Sequence, residues 1–152
     1  VSSLIGVIND ETLETAVVQA LSRIEVDAVP ALLNAAATDS DNEALITALA
    51  GVGGTAGPPL IEALSHTDPD RRAVAARAFG QMTPPPELAV MTLTAALADM
   101  SPDVRAAAAV ALGRCGMVAD SAKTALLEAT QDGDAAVRSS AMLALTDVGA
   151  GI

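Results

Sequence analysis

The sequence predicts an all-α chain, a stack of about ten antiparallel helices, and three observations carry that prediction. The first is self-similarity between Ser101 and Gly149. A shift of 33 residues sets Val104-Arg105 on Val137-Arg138, Ala108 on Ala141, Ala111-Leu112 on Ala144-Leu145 and Gly116 on Gly149. The same shift backwards sets Arg72, Ala75, Ala78-Phe79-Gly80 and Met82 under Arg105, Ala108, Ala111-Leu112-Gly113 and Cys115. A period of twenty to fifty residues marks stacked supersecondary units. The second is composition: 51% of residues are hydrophobic, yet 34 are alanine and one, Phe79, is aromatic. Alanine favours helix and close helix approach but buries little surface, which suits helix-on-helix layers better than a single-centre core. The third is that strand formers nowhere alternate over a strand length.

Each element follows from local pattern. Leu4, Ile5 and Ile8 give an apolar helical face over Ser2 to Asn9, half a repeat with no partner upstream. Asp10 can cap a helix whose apolar positions Leu13, Val17, Leu21 and Ile24 step by three and four. Asp27 opens the next, with Pro30 near its first turn and Leu32, Leu33 and Ala36 facing inward. Asp39-Ser40-Asp41 breaks the chain before Leu45, Leu49 and Val52, and Gly51-Val52-Gly53-Gly54 ends that helix with glycine in the left-handed conformation. Pro58-Pro59 starts a helix holding Leu60, Ile61 and Leu64. Asp68 caps and Pro69 begins the helix running through Arg72 to Met82. Thr83 and three prolines then form a stiff spacer before the helix from Leu88 to Ala98. Ser101-Pro102-Asp103 repeats the cap-then-proline start of a helix that Gly116 stops, Ala122 to Thr130 is its partner, and Val137 to Val148 is the last. The units are a half repeat over 1–9, repeats over about 10–38, 39–67, 68–99 and 100–131, and a half repeat over 132–152, forming one domain. The expectation is a fragment of a longer chain, or ends that pack on further repeats or self-associate.

Charge narrows the partners. The net charge is −11, with one lysine, seven arginines and twelve aspartates, so non-specific nucleic-acid binding and anionic membrane surfaces are disfavoured. The preference for Asp and Arg over Lys fits a high-GC genome, and an acidic surface also fits a salt-loving source. Cys115 alone can form neither an internal disulfide nor a thiolate metal cluster, which fits a reducing, cytoplasmic setting. No run approaches the ~18 apolar residues of a membrane span, and VSSLIGVI lacks the basic flank of a signal peptide.

Across Asp68 to Gly149 the chain resembles HEAT repeats, specifically the short bacterial and archaeal kind named after phycobilisome lyases. The residues are Asp103-Val104-Arg105, Ala108 and Ala111-Leu112-Gly113, and more loosely Val137-Arg138, Ala141 and Ala144-Leu145. A third copy has Arg71 in place of the valine and Phe79 in place of the leucine, and the first two have Glu14 and Asn42 where the arginine belongs. The resemblance implies a right-handed α–α superhelix, first helices on one face and second helices on the other, whose terminal units normally carry a polar outer side; here both ends look uncapped.

The recurring acid–base pairs are Asp70/Arg72, Asp103/Arg105 and Asp134/Arg138. A reaction does not need one pair three times, whereas a stack does. These six residues are read as a structural ladder in which arginine heads bridge turn carboxylates or helix-end carbonyls. His66 reads as a solvent-facing turn residue. HEAT-fold oxygenases hold iron through His-Glu dipeptides, and the sequence contains none. Cys115 aligns with Met82 and Val148 and reads as core. Gly51 to Gly54 follows a helix, not a strand, so it is no phosphate loop. HEAT-like DNA glycosylases use a basic, aromatic concave face, and this chain lacks Trp, Tyr and a basic patch.

No catalytic residue, metal ligand or cofactor site emerges. Subtracting core positions leaves Glu62, Ser65, Met91, Thr92, Ala95, Lys123 and Glu128 as a candidate partner-binding face on the second helices. The expected function is non-enzymatic protein interaction, with a basic or amphipathic helical partner. Two alternatives are an accessory related to bilin lyases, handling a tetrapyrrole or its acceptor protein, and a purely structural spacer.

Overall fold

A computed structural model describes residues 28–39, 42–82, 87–115 and 120–150. Among them the chain is all-helical, with eight α-helices: α1 (Val29–Thr38), α2 (Glu43–Gly51), α3 (Gly57–Ala63), α4 (Pro69–Gln81), α5 (Glu87–Ala96), α6 (Pro102–Arg114), α7 (Asp120–Ala129) and α8 (Ala135–Ala150). The two helices expected before Asp27, that aspartate itself, the proline spacer and the stop at Gly116 lie outside the described residues.

Helix starts follow their capping chemistry. Asn42 Oδ1 accepts the Leu45 amide at 3.3 Å, and Asp68 Oδ1 accepts the Asp70 amide at 3.1 Å just ahead of Pro69. Ser101 departs from expectation: its hydroxyl makes no cap, and its own amide donates instead to Asp99 Oδ1 at 2.8 Å. At the other end of α2, Gly53 takes φ +75°, the left-handed turn that permits a 106° bend into a short 3-10 turn and α3. Among the described residues no single helix is long and apolar enough to cross a membrane.

The helices form two layers. First helices α2, α4, α6 and α8 pack in chain order, second helices α3, α5 and α7 do likewise, and α1 packs on both α2 and α4. Large apolar residues lie between the layers: Leu32, Ile46, Leu49, Leu60, Phe79, Leu93, Leu112 and Leu126 are fully buried. Alanine sets the spacing within a layer. Ala76, Ala108 and Ala109 are fully buried, so backbones sit where a larger side chain would hold them apart. No polar or charged residue is buried among the described residues, which leaves the chemistry to the turns and the outer faces.

Candidate functional site

Two bidentate ion pairs link successive repeats. Arg72 Nε and Nη2 donate to Asp99 Oδ2 and Oδ1 at 2.7 and 2.9 Å. Arg105 Nε and Nη2 donate to the two oxygens of Asp132, both at 2.8 Å. In each case the remaining Nη1 donates to turn carbonyls at the start of its own helix: His66 and Thr67 for Arg72, Asp99 and Met100 for Arg105. Arg138 repeats that local contact, donating to the carbonyls of Asp132 and Gly133 at 2.8 and 2.9 Å. The carboxylates that meet Arg72 and Arg105 therefore lie 27 residues downstream, not two residues upstream. Asp70 and Asp103 are exposed on the first turns of α4 and α6, and Asp134 caps α8 through the amides of Ala136 and Val137.

This geometry binds; it does not transfer protons. The guanidinium fork holds the Asp99 and Asp132 carboxyls below the usual carboxylate range, and the carboxylates raise both arginines in turn. Each carboxylate also accepts a backbone amide, from Ser101 or Asp134. An aspartate fixed in its ionised form by that many donors is a clasp.

The lone histidine and thiol stand at opposite ends of the first helices. His66 is half-buried, not solvent-facing: the Asp68 amide donates to Nδ1 at 3.1 Å, and Arg71 Nη1 lies 3.1 Å from Nε2. It lines a surface pocket together with Pro30, Glu62 and Arg71. Cys115 is partly buried against the core at the end of α6, and burial pushes its thiol upward. Among the described residues no group of His, Cys, Asp and Glu could hold a metal ion.

The second-helix face is at the surface. Glu62, Ser65, Ala95, Lys123 and Glu128 are exposed, Met91 is 71% exposed, and Thr92 is half-buried with its hydroxyl donating to the Leu88 carbonyl. Leu88, 56% exposed, belongs to the same outward side of α5 and was not among the residues the sequence singled out. At the 33-residue register Glu62 on α3 and Glu128 on α7 occupy the position of Ala95 on α5, and α5 packs between those two helices. The result is an apolar stripe with a carboxylate on either side.

A groove of about 360 Å³ opens on the opposite layer, over α4, α6 and α8. Arg77, Gln81, Asp103, Val110, Arg114 and Ser140 are among its lining residues, and Gln81 also bonds Glu43 and Thr47 across to α2. The candidate face drawn from the sequence lies on the second helices and does not include this groove. The signal was present: Arg77, Val110 and Leu143 share one register position, and Gln81, Arg114 and Asp147 share another.

Stacked antiparallel helix pairs clasped turn to turn define a helical repeat protein. The chain belongs to the HEAT repeats, whose family profile matches residues 57–146. No curated protein matches it. Among solved structures, human deoxyhypusine hydroxylase in complex with glycerol is similar at 29% identity and a TM-score of 0.61, over 80% of this chain and 43% of that one. The chain thus spans less than half of the hydroxylase's length. An engineered protein aligns over 97% of this chain and 78% of its own, at 21% identity and a TM-score of 0.52, which is a likeness of fold alone.

Proposed function

We propose that this chain is a non-enzymatic protein-interaction module whose second-helix face receives a basic or amphipathic helix. The observation that supports this reading is the α5 stripe. Leu88 and Met91 stand largely exposed, Ala95 and Ala98 continue the strip, and Glu62 and Glu128 flank it from α3 and α7. An apolar strip fits the apolar side of a helix, and flanking carboxylates select cationic residues along its edges. On this reading the layers belong to a right-handed superhelix of the phycobilisome-lyase-like kind, in a prokaryotic cytoplasm.

The likeness to the hydroxylase does not extend the proposal to catalysis. The sequence holds one histidine and no His-Glu dipeptide, and Arg72 and Arg105 are engaged with Asp99 and Asp132. Phe79 is fully buried, while His66 and Cys115 lie at opposite ends of the first helices. That arrangement lends no support to the bilin-handling alternative. The test is affinity capture from native lysate with the wild type, with Met91→Asp, and with the pair Glu62→Lys and Glu128→Lys. One stoichiometric protein, lost in each variant and released by salt, is expected. Capture indifferent to all of these changes would place the partner elsewhere.

A further inference from the structure

His66 stands at the repeat position that Asp99 and Asp132 fill further along the chain. All three accept the amide two residues on: Asp99 takes that of Ser101 and Asp132 that of Asp134, each at 2.8 Å, and His66 takes that of Asp68 at 3.1 Å. His66 does so through Nδ1. A neutral imidazole has one acceptor nitrogen and one donor, so this hydrogen bond assigns the ring proton to Nε2. The two aspartates also receive an arginine from 27 residues upstream. Asp39 holds that place for His66, and its carboxylate accepts the side-chain amide of Asn42. The outer edge of the ring faces Arg71 instead, with Nη1 3.1 Å from Nε2. A guanidinium has donors only. Two N–H groups therefore converge on one spot, and neither can accept from the other.

His66 and Arg71 line a pocket of about 200 Å³ formed with α1 and α3. Its apolar wall is Pro30, Leu33, Pro59 and Ala63, of which Leu33 and Ala63 are buried. Glu62 is the one carboxylate among the lining residues, and among the described residues it hydrogen-bonds to neither His66 nor Arg71. An oxyanion set between Nε2–H and the guanidinium would accept from both, in the strong, charge-assisted manner. Glu62 beside it and a net charge of −11 disfavour a dianion, so a monoanionic carboxylate fits better than a phosphate. The hydrocarbon wall then suits an aliphatic tail, which the volume limits to a few carbons.

We propose that this pocket binds a small aliphatic carboxylate. Its oxygens are shared between His66 Nε2–H and Arg71, and its tail lies on Leu33, Pro59 and Ala63. Glu62 borders both this pocket and the α5 strip, but the carboxylate site stands or falls without the strip.

The probe is sodium butyrate, titrated into the whole chain at an ionic strength held constant with sodium chloride and followed by heteronuclear NMR. Saturable shifts are expected at the Asp68 amide, the His66 ring and the Arg71 side chain. Butyramide, the same body without the charge, should not saturate, and inorganic phosphate should bind more weakly than butyrate. Arg71→Ala should weaken butyrate by about tenfold, the loss of a hydrogen bond to a charged group. His66→Asp installs the aspartate of the later repeats, so the turn is kept while Arg71 gains an internal carboxylate. It should weaken butyrate at least as much. His66→Asn keeps an acceptor for the Asp68 amide and a donor for the ligand, and should retain most of the affinity. Glu62→Gln should tighten binding by removing a like charge. Shifts that rise without saturating, saturation that ignores both Arg71→Ala and His66→Asp, or tighter binding of phosphate would each overturn the proposal.

Discussion

Gly113 lies so close to Ala144 that a Cβ built on it would stand 2.7 Å from the Ala144 Cα. The contact is with backbone, which cannot swing aside as a flexible side chain can. Gly113→Ala should therefore destabilise by about 1–3 kcal/mol through overpacking, more than the ~1 kcal/mol that alanine regains in helix propensity. Gly80→Ala, where the distance to Ala111 is 3.1 Å, should cost less. Chemical denaturation of the two variants checks the order. Equal, stabilising effects would mean that first helices are not in this close contact.

The arginine clasps predict coupled losses. Arg105→Ala should destabilise by about 1–2 kcal/mol, from charge-assisted bonds to Asp132 and the stem's packing. Asp132→Ala should lose a comparable amount, and the double variant should lose less than the sum. Additive losses would show that the pair contributes nothing as a pair.

Acid should loosen the clasps in a defined range. Both Asp99 and Asp132 titrate below their ordinary value in the fold, chiefly because of the arginine each one accepts. Their contribution is complete above the unfolded carboxyl value of about 3.9 and is lost as pH falls below it through the depressed folded value. Asp99→Asn and Asp132→Asn should each flatten the stability–pH curve in that acid range and leave its slope near pH 7 unchanged.

Leu112 is fully buried between the layers, at the position of Phe79. Leu112→Asp should cost roughly 3–5 kcal/mol, the lost packing plus a carboxylate with no partner. A parent-like thermal melt would show that the 33-residue register is misplaced.

The repeat was legible because the same apolar spacing returns with the same arginine, and position 112 falls in the core where periodicity places it. The partners of the arginines were not. Asp70 and Asp103 stand two residues before Arg72 and Arg105, and side chains two apart on a helix point to different sides. The turn aspartates 27 residues downstream become neighbours only when the next repeat folds back. Ser101 looked like a cap, but its hydroxyl makes no cap bond, although its amide is accepted by Asp99 as the amides of the capping residues Asp68 and Asp134 are accepted by His66 and Asp132. The outward face of α5 was read only in part: Met91 was singled out and Leu88 was not, since a leucine beginning an apolar helix resembles core until packing shows it outside. The first-helix groove needed α4, α6 and α8 side by side before Arg77, Asp103 and Arg114 came together.

The most direct measurement is hydrogen exchange of this chain alone and with its captured partner. The interaction reading predicts new protection over α5, including the amides near Leu88 and Met91, with flanking effects in α3 and α7. Protection confined to α4 and α6, around Arg77 and Arg114, would contradict it and move the binding site to the opposite layer.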